Sequence, residues 1–163
     1  MNRINPDQPL LPSLLDRLID EHPEQDRELP HTQNQVMSEL RNSIRRDLEN
    51  LLNTRSDPGE IPPAYTELED SLVNYGIPDM AALDLQNDRS RQRFFLTIER
   101  RIRFFEPRFL SVSVIPLENE SYLDRTLRFR IEATMYAYPA PEPIVFDSEM
   151  DPSDGQIAIK RMG

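Results

Sequence analysis

The 163-residue chain has no cysteine, no tryptophan, 4 Gly, 2 His and a single lysine, Lys160, among its 19 basic residues. Without cysteine there is no disulfide frame, no thiolate nucleophile and no Cys-based zinc or iron–sulfur site. The only imidazoles, His22 and His31, sit in a polar stretch punctuated by proline, which argues against a His-based metal site. Apolar residues make up only 37 % against 29 % charged, with 15 Pro. That share is low for a fully globular chain and points to loose ends or surfaces completed by partners. No uncharged stretch approaches the roughly 18 residues of a membrane span. Residues 1–13 carry one Arg, three Pro and no long apolar run, and do not resemble a signal peptide. Positive charge is also short: 19 Lys plus Arg against 29 Asp plus Glu leave a net charge of −10. That excess argues against general nucleic-acid binding and against docking on anionic lipid. A reducing, soluble compartment is the expected home.

What remains is an ordered succession of helix and strand signals. Residues 1–11 are polar and Pro-broken and read as a loose arm ahead of one domain over 12–163. Pro12 and Ser13 open a short helix with Leu14, Leu15, Leu18 and Ile19 on one side and Asp16, Arg17 and Asp20 opposite. A loop over 22–34 precedes a long amphipathic helix from Gln35 to Asn53, where Met37, Leu40, Ile44, Leu48 and Leu51 recur at steps of three and four. Turn residues follow through Gly59. Glu67 to Tyr75 reads as a short helix with Leu68, Leu72 and Tyr75 inward and Gly76 as its stop. Asp79 opens a brief turn through Leu85. Asp88 or Ser90 caps a third main helix running to about Phe104, with Phe94, Phe95, Ile98, Ile102 and Phe105 as its apolar set, and Pro107 beyond its end.

After Pro107 the period falls to two. Leu110, Val112 and Val114 alternate with serines as a half-buried strand. A polar turn over 118–124 leads to a longer strand with Leu127, Phe129, Ile131, Ala133 and Met135 on one face. Ile144 to Phe146 and Ile157 to Ile159 complete the set. Helices first and an antiparallel sheet last predict an α+β fold, with the N-terminal helices packed on a small C-terminal sheet.

Arginine carries 18 of the 19 basic charges. Residues 89–108 hold seven Arg and two Glu, a local charge of +5, so the other 143 residues sum to −15. Arginine interleaved with phenylalanine can mark single-strand nucleic-acid binding, but these phenylalanines lie at helical core spacing. A basic face including Arg100, Arg101 and Arg103, meeting an acidic partner, fits better. At the helix-to-strand junction stands Phe105-Glu106-Pro107-Arg108. Pro107 fixes its own φ and biases Glu106 toward extended geometry, and residues i and i+2 of an extended chain share a side. Glu106 and Arg108 therefore stand together, either as a recognition platform or as a capped helix end with a surface ion pair.

Several of these stretches, in order, resemble the TssE family of the bacterial type VI secretion system, relatives of a wedge protein in contractile phage baseplates. Residues 13–18, 43–55 (SIRRDLENLLNTR), 71–79 (SLVNYGIPD), the Glu106-Pro107-Arg108 tripeptide, 127–132 and 143–147 carry the likeness, which spans about residues 13–160. The resemblance implies a structural role without cofactor, metal or small-molecule substrate. It implies assembly with TssF, TssG and TssK in a cytoplasmic baseplate docked at the inner membrane, and nucleation of the TssB–TssC sheath by strand addition. On that reading the partner-binding set is Glu106, Pro107 and Arg108, the basic residues Arg100, Arg101 and Arg103, and an accepting sheet edge at Ile144, Val145, Phe146, Ile157 and Ile159.

Such relatives have been labelled lysozyme-like, so a peptidoglycan-cleaving hydrolase is the alternative. It requires two carboxylates about 5–9.5 Å apart, one of them held protonated. Arg108 beside Glu106 favours the ionised form instead, and Glu99 lies two helical turns back.

Overall fold

The computed structural model describes residues 14–19, 33–56, 64–69, 71–78, 87–118, 126–137, 140–151, 153 and 155–161. The expected arm over 1–11, the turn through 79–85, the loop expected over 22–34 up to residue 32 and the polar turn expected over 118–124 beyond Glu118 lie outside them, while Gln33 and Asn34 are already helical. The elements are α1 (Leu14–Leu18), α2 (Gln33–Asn53), α3 (Thr66–Glu69), a 3-10 turn (Leu72–Asn74), α4 (Asp88–Phe105), β1 (Phe109–Leu117), β2 (Leu127–Met135), β3 (Glu142–Met150) and β4 (Ile157–Arg161). The strands form one antiparallel sheet in the order β1-β2-β3-β4. The expected α+β class is therefore the observed one.

Both long helices form where the apolar spacing places them. Leu40, Ile44, Leu48, Leu51 and Leu52 of α2 are buried together with Phe94, Phe95, Ile98 and Ile102 of α4. They meet one face of the sheet, made by Phe109, Val112, Val114, Phe129, Ile131, Ala133, Met135, Ile144, Phe146, Met150, Ile157 and Ile159. Each large side chain removed from water in this layer stabilises the fold by about 1.5–3 kcal/mol before entropy is subtracted. The opposite face of the sheet is polar, with Arg130 and Asp147 paired across β2 and β3 at 2.8 Å.

Four local expectations need correction. The N-cap of α4 is Asn87, whose side chain accepts from Arg89 N–H at 2.9 Å, rather than Asp88 or Ser90. A register shift between Phe109 and Ser111 makes a bulge in β1. Phe109 consequently turns into the core while Leu110 is 53 % exposed. The helix expected over 67–75 breaks in two: Ser71 Oγ accepts from Val73 N–H and donates to Leu68 O, starting a fresh 3-10 turn. That change of phase leaves Leu72 exposed and Asn74 buried. Finally, Leu15 and Leu18 of α1 and the following Ile19 are exposed. This helix docks through its polar side, where Asp16 accepts from Ser43 Oγ and Arg46 Nη2 on α2.

After α2 the chain returns to pair with the segment beyond the 3-10 turn. Ser56 N–H donates to Ile77 O at 2.8 Å and Ile77 N–H to Thr54 O at 2.9 Å. Gly76 has φ of +107°, and a Cβ built there would lie 2.4 Å from Thr54 O. Only glycine allows so close an approach in that conformation.

Candidate functional site

The junction between α4 and β1 brings the Glu106-Pro107-Arg108 stretch against α2. Glu106 caps α4, its N–H donating to Ile102 O. Pro107 follows exposed, and Arg108 turns back. Arg108 Nε donates to Glu106 Oε1 at 2.6 Å, and Arg108 Nη2 donates to Glu106 Oε2, so the guanidinium grips the carboxylate as a two-pronged fork. Arg108 N–H adds a third bond to Glu106 Oε1 at 3.2 Å. The i, i+2 placement expected from the proline is present. The pair is not a surface one, because Glu106 is only 5 % exposed and the Arg108 side chain 14 %.

Arg108 reaches further. Its Nη2 donates to Asp47 Oδ2 at 2.6 Å and its Nη1 to Ser43 Oγ at 3.1 Å, both on α2. Ser43 Oγ in turn donates a hydrogen bond to Asp16 Oδ2 at 2.6 Å, and Arg46 donates to Asp16 Oδ1. Three carboxylates and two guanidinium groups thus form one continuous hub joining α1, α2 and the α4–β1 junction. Burial alone would lower the proton affinity of Arg108, but the bonds and charges of Glu106, then Asp47, outweigh it and hold it above its ordinary value. Arg46 is raised too, chiefly by its hydrogen bond to Asp16.

Above the hub lies an open groove of about 440 Å³, lined by Asp47, Leu48, Leu51, Tyr75, Phe105, Glu106, Pro107 and Arg108. Tyr75 stacks edge-on against Phe105 with centroids 5.2 Å apart. Its hydroxyl is held above its usual pKa by burial, then by the charges of Asp47 and Glu106. Its lining combines the apolar Leu48, Leu51, Phe105 and Pro107 with the charged Asp47, Glu106 and Arg108, whose geometry the hub fixes. Among the described residues, no three His, Cys, Asp or Glu gather as metal ligands. For acid catalysis the arrangement offers little, since both oxygens of Glu106 accept from Arg108 and Asp47 is tied to the same guanidinium.

The other expected site residues are dispersed. Arg100 is exposed on α4. Arg101 Nη1 instead donates to Asn74 O at 2.7 Å, and Arg103 Nη2 to Glu99 Oε1 at 2.8 Å and Val112 O at 3.2 Å, so both serve the fold. Ile144 and Phe146 point into the core and Val145 is half-buried. Their strand, β3, is flanked by β2 along its length and by β4 from Phe146 onward. It is an edge only over Glu142 to Val145 among the described residues. Ile157 and Ile159 also face the core; Asn53 of α2 bonds Ile157 N–H and O, and Glu49 of α2 accepts from Ile159 N–H. Asp16, Ser43 and Arg46 are the hub members that the sequence alone did not single out. Their signal is the polar set Ser43, Arg46 and Asp47 at i, i+3 and i+4, running beside the apolar Ile44–Leu48 row of α2.

The family model for baseplate wedge protein gp25 matches residues 38–140, and the chain belongs to that family, which also includes TssE. The match takes in the whole hub except Asp16. No curated protein matches the chain. Membership supports a structural role as a baseplate component of a contractile injection system, in a family not known as one of enzymes.

Proposed function

We propose that the chain is a wedge subunit of a type VI secretion baseplate in the bacterial cytoplasm, docked at the inner membrane. It joins TssF, TssG and TssK through the groove over Glu106, Pro107 and Arg108, and starts the TssB–TssC sheath by accepting a strand at its sheet edge. The observation carrying this reading is the groove itself. A buried ionic hub is costly to desolvate and adds little net stability over apolar packing. Its return here is shape, because it fixes Pro107, Phe105 and Tyr75 around a concave, partly apolar surface suited to a protein partner. Arg108 thus acts by holding the platform, while Pro107 and Tyr75 meet the partner. Arg100 supplies exposed positive charge that speeds encounter with an acidic surface.

The test is co-expression with TssF, TssG and TssK followed by size-exclusion chromatography. Wild type is expected in a stoichiometric complex. Pro107→Glu, which places a charge on the exposed rim, is expected to elute alone while keeping the circular dichroism spectrum of the folded wild type. Wild type eluting alone as a folded monomer would overturn the wedge assignment. So would sustained lysis of purified cell wall that Glu106→Gln abolishes.

A further inference from the structure

The two outer edges of the sheet are closed by helix side chains in physically different ways. On β1, Val112 O accepts from Arg103 and Val114 N–H donates to Glu99 Oε2 at 3.3 Å. Glu99 and Arg103 are themselves ion-paired at 2.8 Å. The next outward position in the alternation is Pro116, which has no N–H to present. Charge-assisted bonds and a proline leave this edge closed to another strand.

On β4 the closure at Ile157 is a neutral carboxamide. Ile157 N–H donates to Asn53 Oδ1 at 2.8 Å, and Asn53 Nδ2 donates to Ile157 O at 2.9 Å. One side chain therefore exchanges both bonds with one residue, as the facing residue of an antiparallel strand does. Ile159 N–H, two positions on and pointing the same way, donates to Glu49 Oε1 at 3.3 Å, and Glu49 is ion-paired with Arg45 much as Glu99 is with Arg103, so the difference between the edges lies at Ile157. Asn53 is the last residue of α2 and is exposed. Turning its amide to water leaves Ile157, itself 3 % exposed, with one N–H and one C=O to be paired, a demand that an incoming strand meets.

We infer that Asn53 is a displaceable placeholder on the β4 edge. An extended segment of a neighbouring subunit pairs there by taking over its two bonds to Ile157 and then the bond at Ile159, while the β1 edge stays shut. This rests on the strand-accepting part of the function proposed above and names the edge and the residue that guards it. The placeholder keeps the free chain from pairing edge to edge, and the incoming strand replaces its bonds with the same kind of bond.

The experiment is residue-resolved amide hydrogen exchange on the full chain, free and with the TssB–TssC pair, for wild type and Asn53→Ala. In the free variant the Ile157 amide is expected to exchange about five- to tenfold faster than in wild type. With the sheath pair bound, its protection is expected to return to the wild-type level, with affinity at least equal to that of wild type. Asn53→Asp keeps the acceptor for Ile157 N–H, should lie between the two, and serves if the alanine variant folds poorly. Glu99→Gln, on the opposite edge, should bind the sheath pair like wild type. Unchanged exchange in the free alanine variant overturns the placeholder alone. A complex in which the variant's Ile157 stays unprotected shows that the strand docks elsewhere and also overturns it. If not even wild type binds the sheath pair, the strand-accepting reading itself falls.

Discussion

Truncating Arg108 to alanine removes the centre of the hub, and its cost follows from the geometry. The guanidinium serves both oxygens of Glu106, one oxygen of Asp47 and the Ser43 hydroxyl. Glu106, 5 % exposed, would keep only one main-chain N–H as a donor. Asp47, with 32 % of its side chain exposed, can turn to water. Breaking a buried pair costs about 3–5 kcal/mol. Because one of the two stranded carboxylates is rescued by solvent, the lower end applies, about 3 kcal/mol. Against a typical domain stability of about 5–15 kcal/mol, the variant still folds but with much less reserve. Replacing the pair, Glu106→Gln with Arg108→Met, removes both charges and should recover at least half of the loss. Urea unfolding followed by circular dichroism measures this, with the slope m unchanged between variants. An Arg108→Ala loss below about 0.5 kcal/mol would refute the reasoning, since that is the value of an exposed ion pair.

Two other perturbations probe the frame around the hub. Gly76→Ala drives a Cβ against Thr54 O and forces a side chain into positive φ. It should cost about 2–4 kcal/mol in the same unfolding measurement. Tyr75 has its pKa raised by burial and then by Asp47 and Glu106. The folded state therefore keeps the phenolic proton at a pH where the unfolded chain has lost it. Stability from this group is fully present below about pH 10 and falls as pH rises further. Tyr75→Phe should remove that part of the alkaline decline, and absorbance titration of Asp47→Asn should find the Tyr75 pKa moved toward its ordinary value.

The sequence carries the helices and strands because the signals are short-ranged. Phe94, Phe95, Ile98 and Ile102 lie at helical spacing, and Phe129, Ile131, Ala133 and Met135 alternate, so each set marks its own core face. Failures come where one residue changes the phase. The bulge at Leu110 and the fresh turn at Ser71 each reverse the facing of a leucine, and neither is visible in hydrophobic periodicity. Glu106 and Arg108 are legible as a pair because Pro107 fixes the two residues locally. Their partners are not, since Asp47 and Ser43 lie 61 and 65 residues from Arg108. The same holds for Arg101, a surface helix arginine by pattern, whose acceptor Asn74 O lies 27 residues back. At the β4 edge, strand pattern identifies the main-chain groups but not the helix end that covers them.

The order of assembly follows from the way the sheet is closed. Each strand pairs with its neighbour in sequence, so the meander can zip from hairpin to hairpin at small entropic cost. The bonds from α2 to β4 are the opposite case, joining residues 104 and 110 apart. They close long loops, and they hold the shortest of the four described strands, of 5 residues. Contacts of that kind form last and open first. The edge guarded by Asn53 is thus a late-closing part of the sheet, three strands away from the α4–β1 junction that shapes the groove.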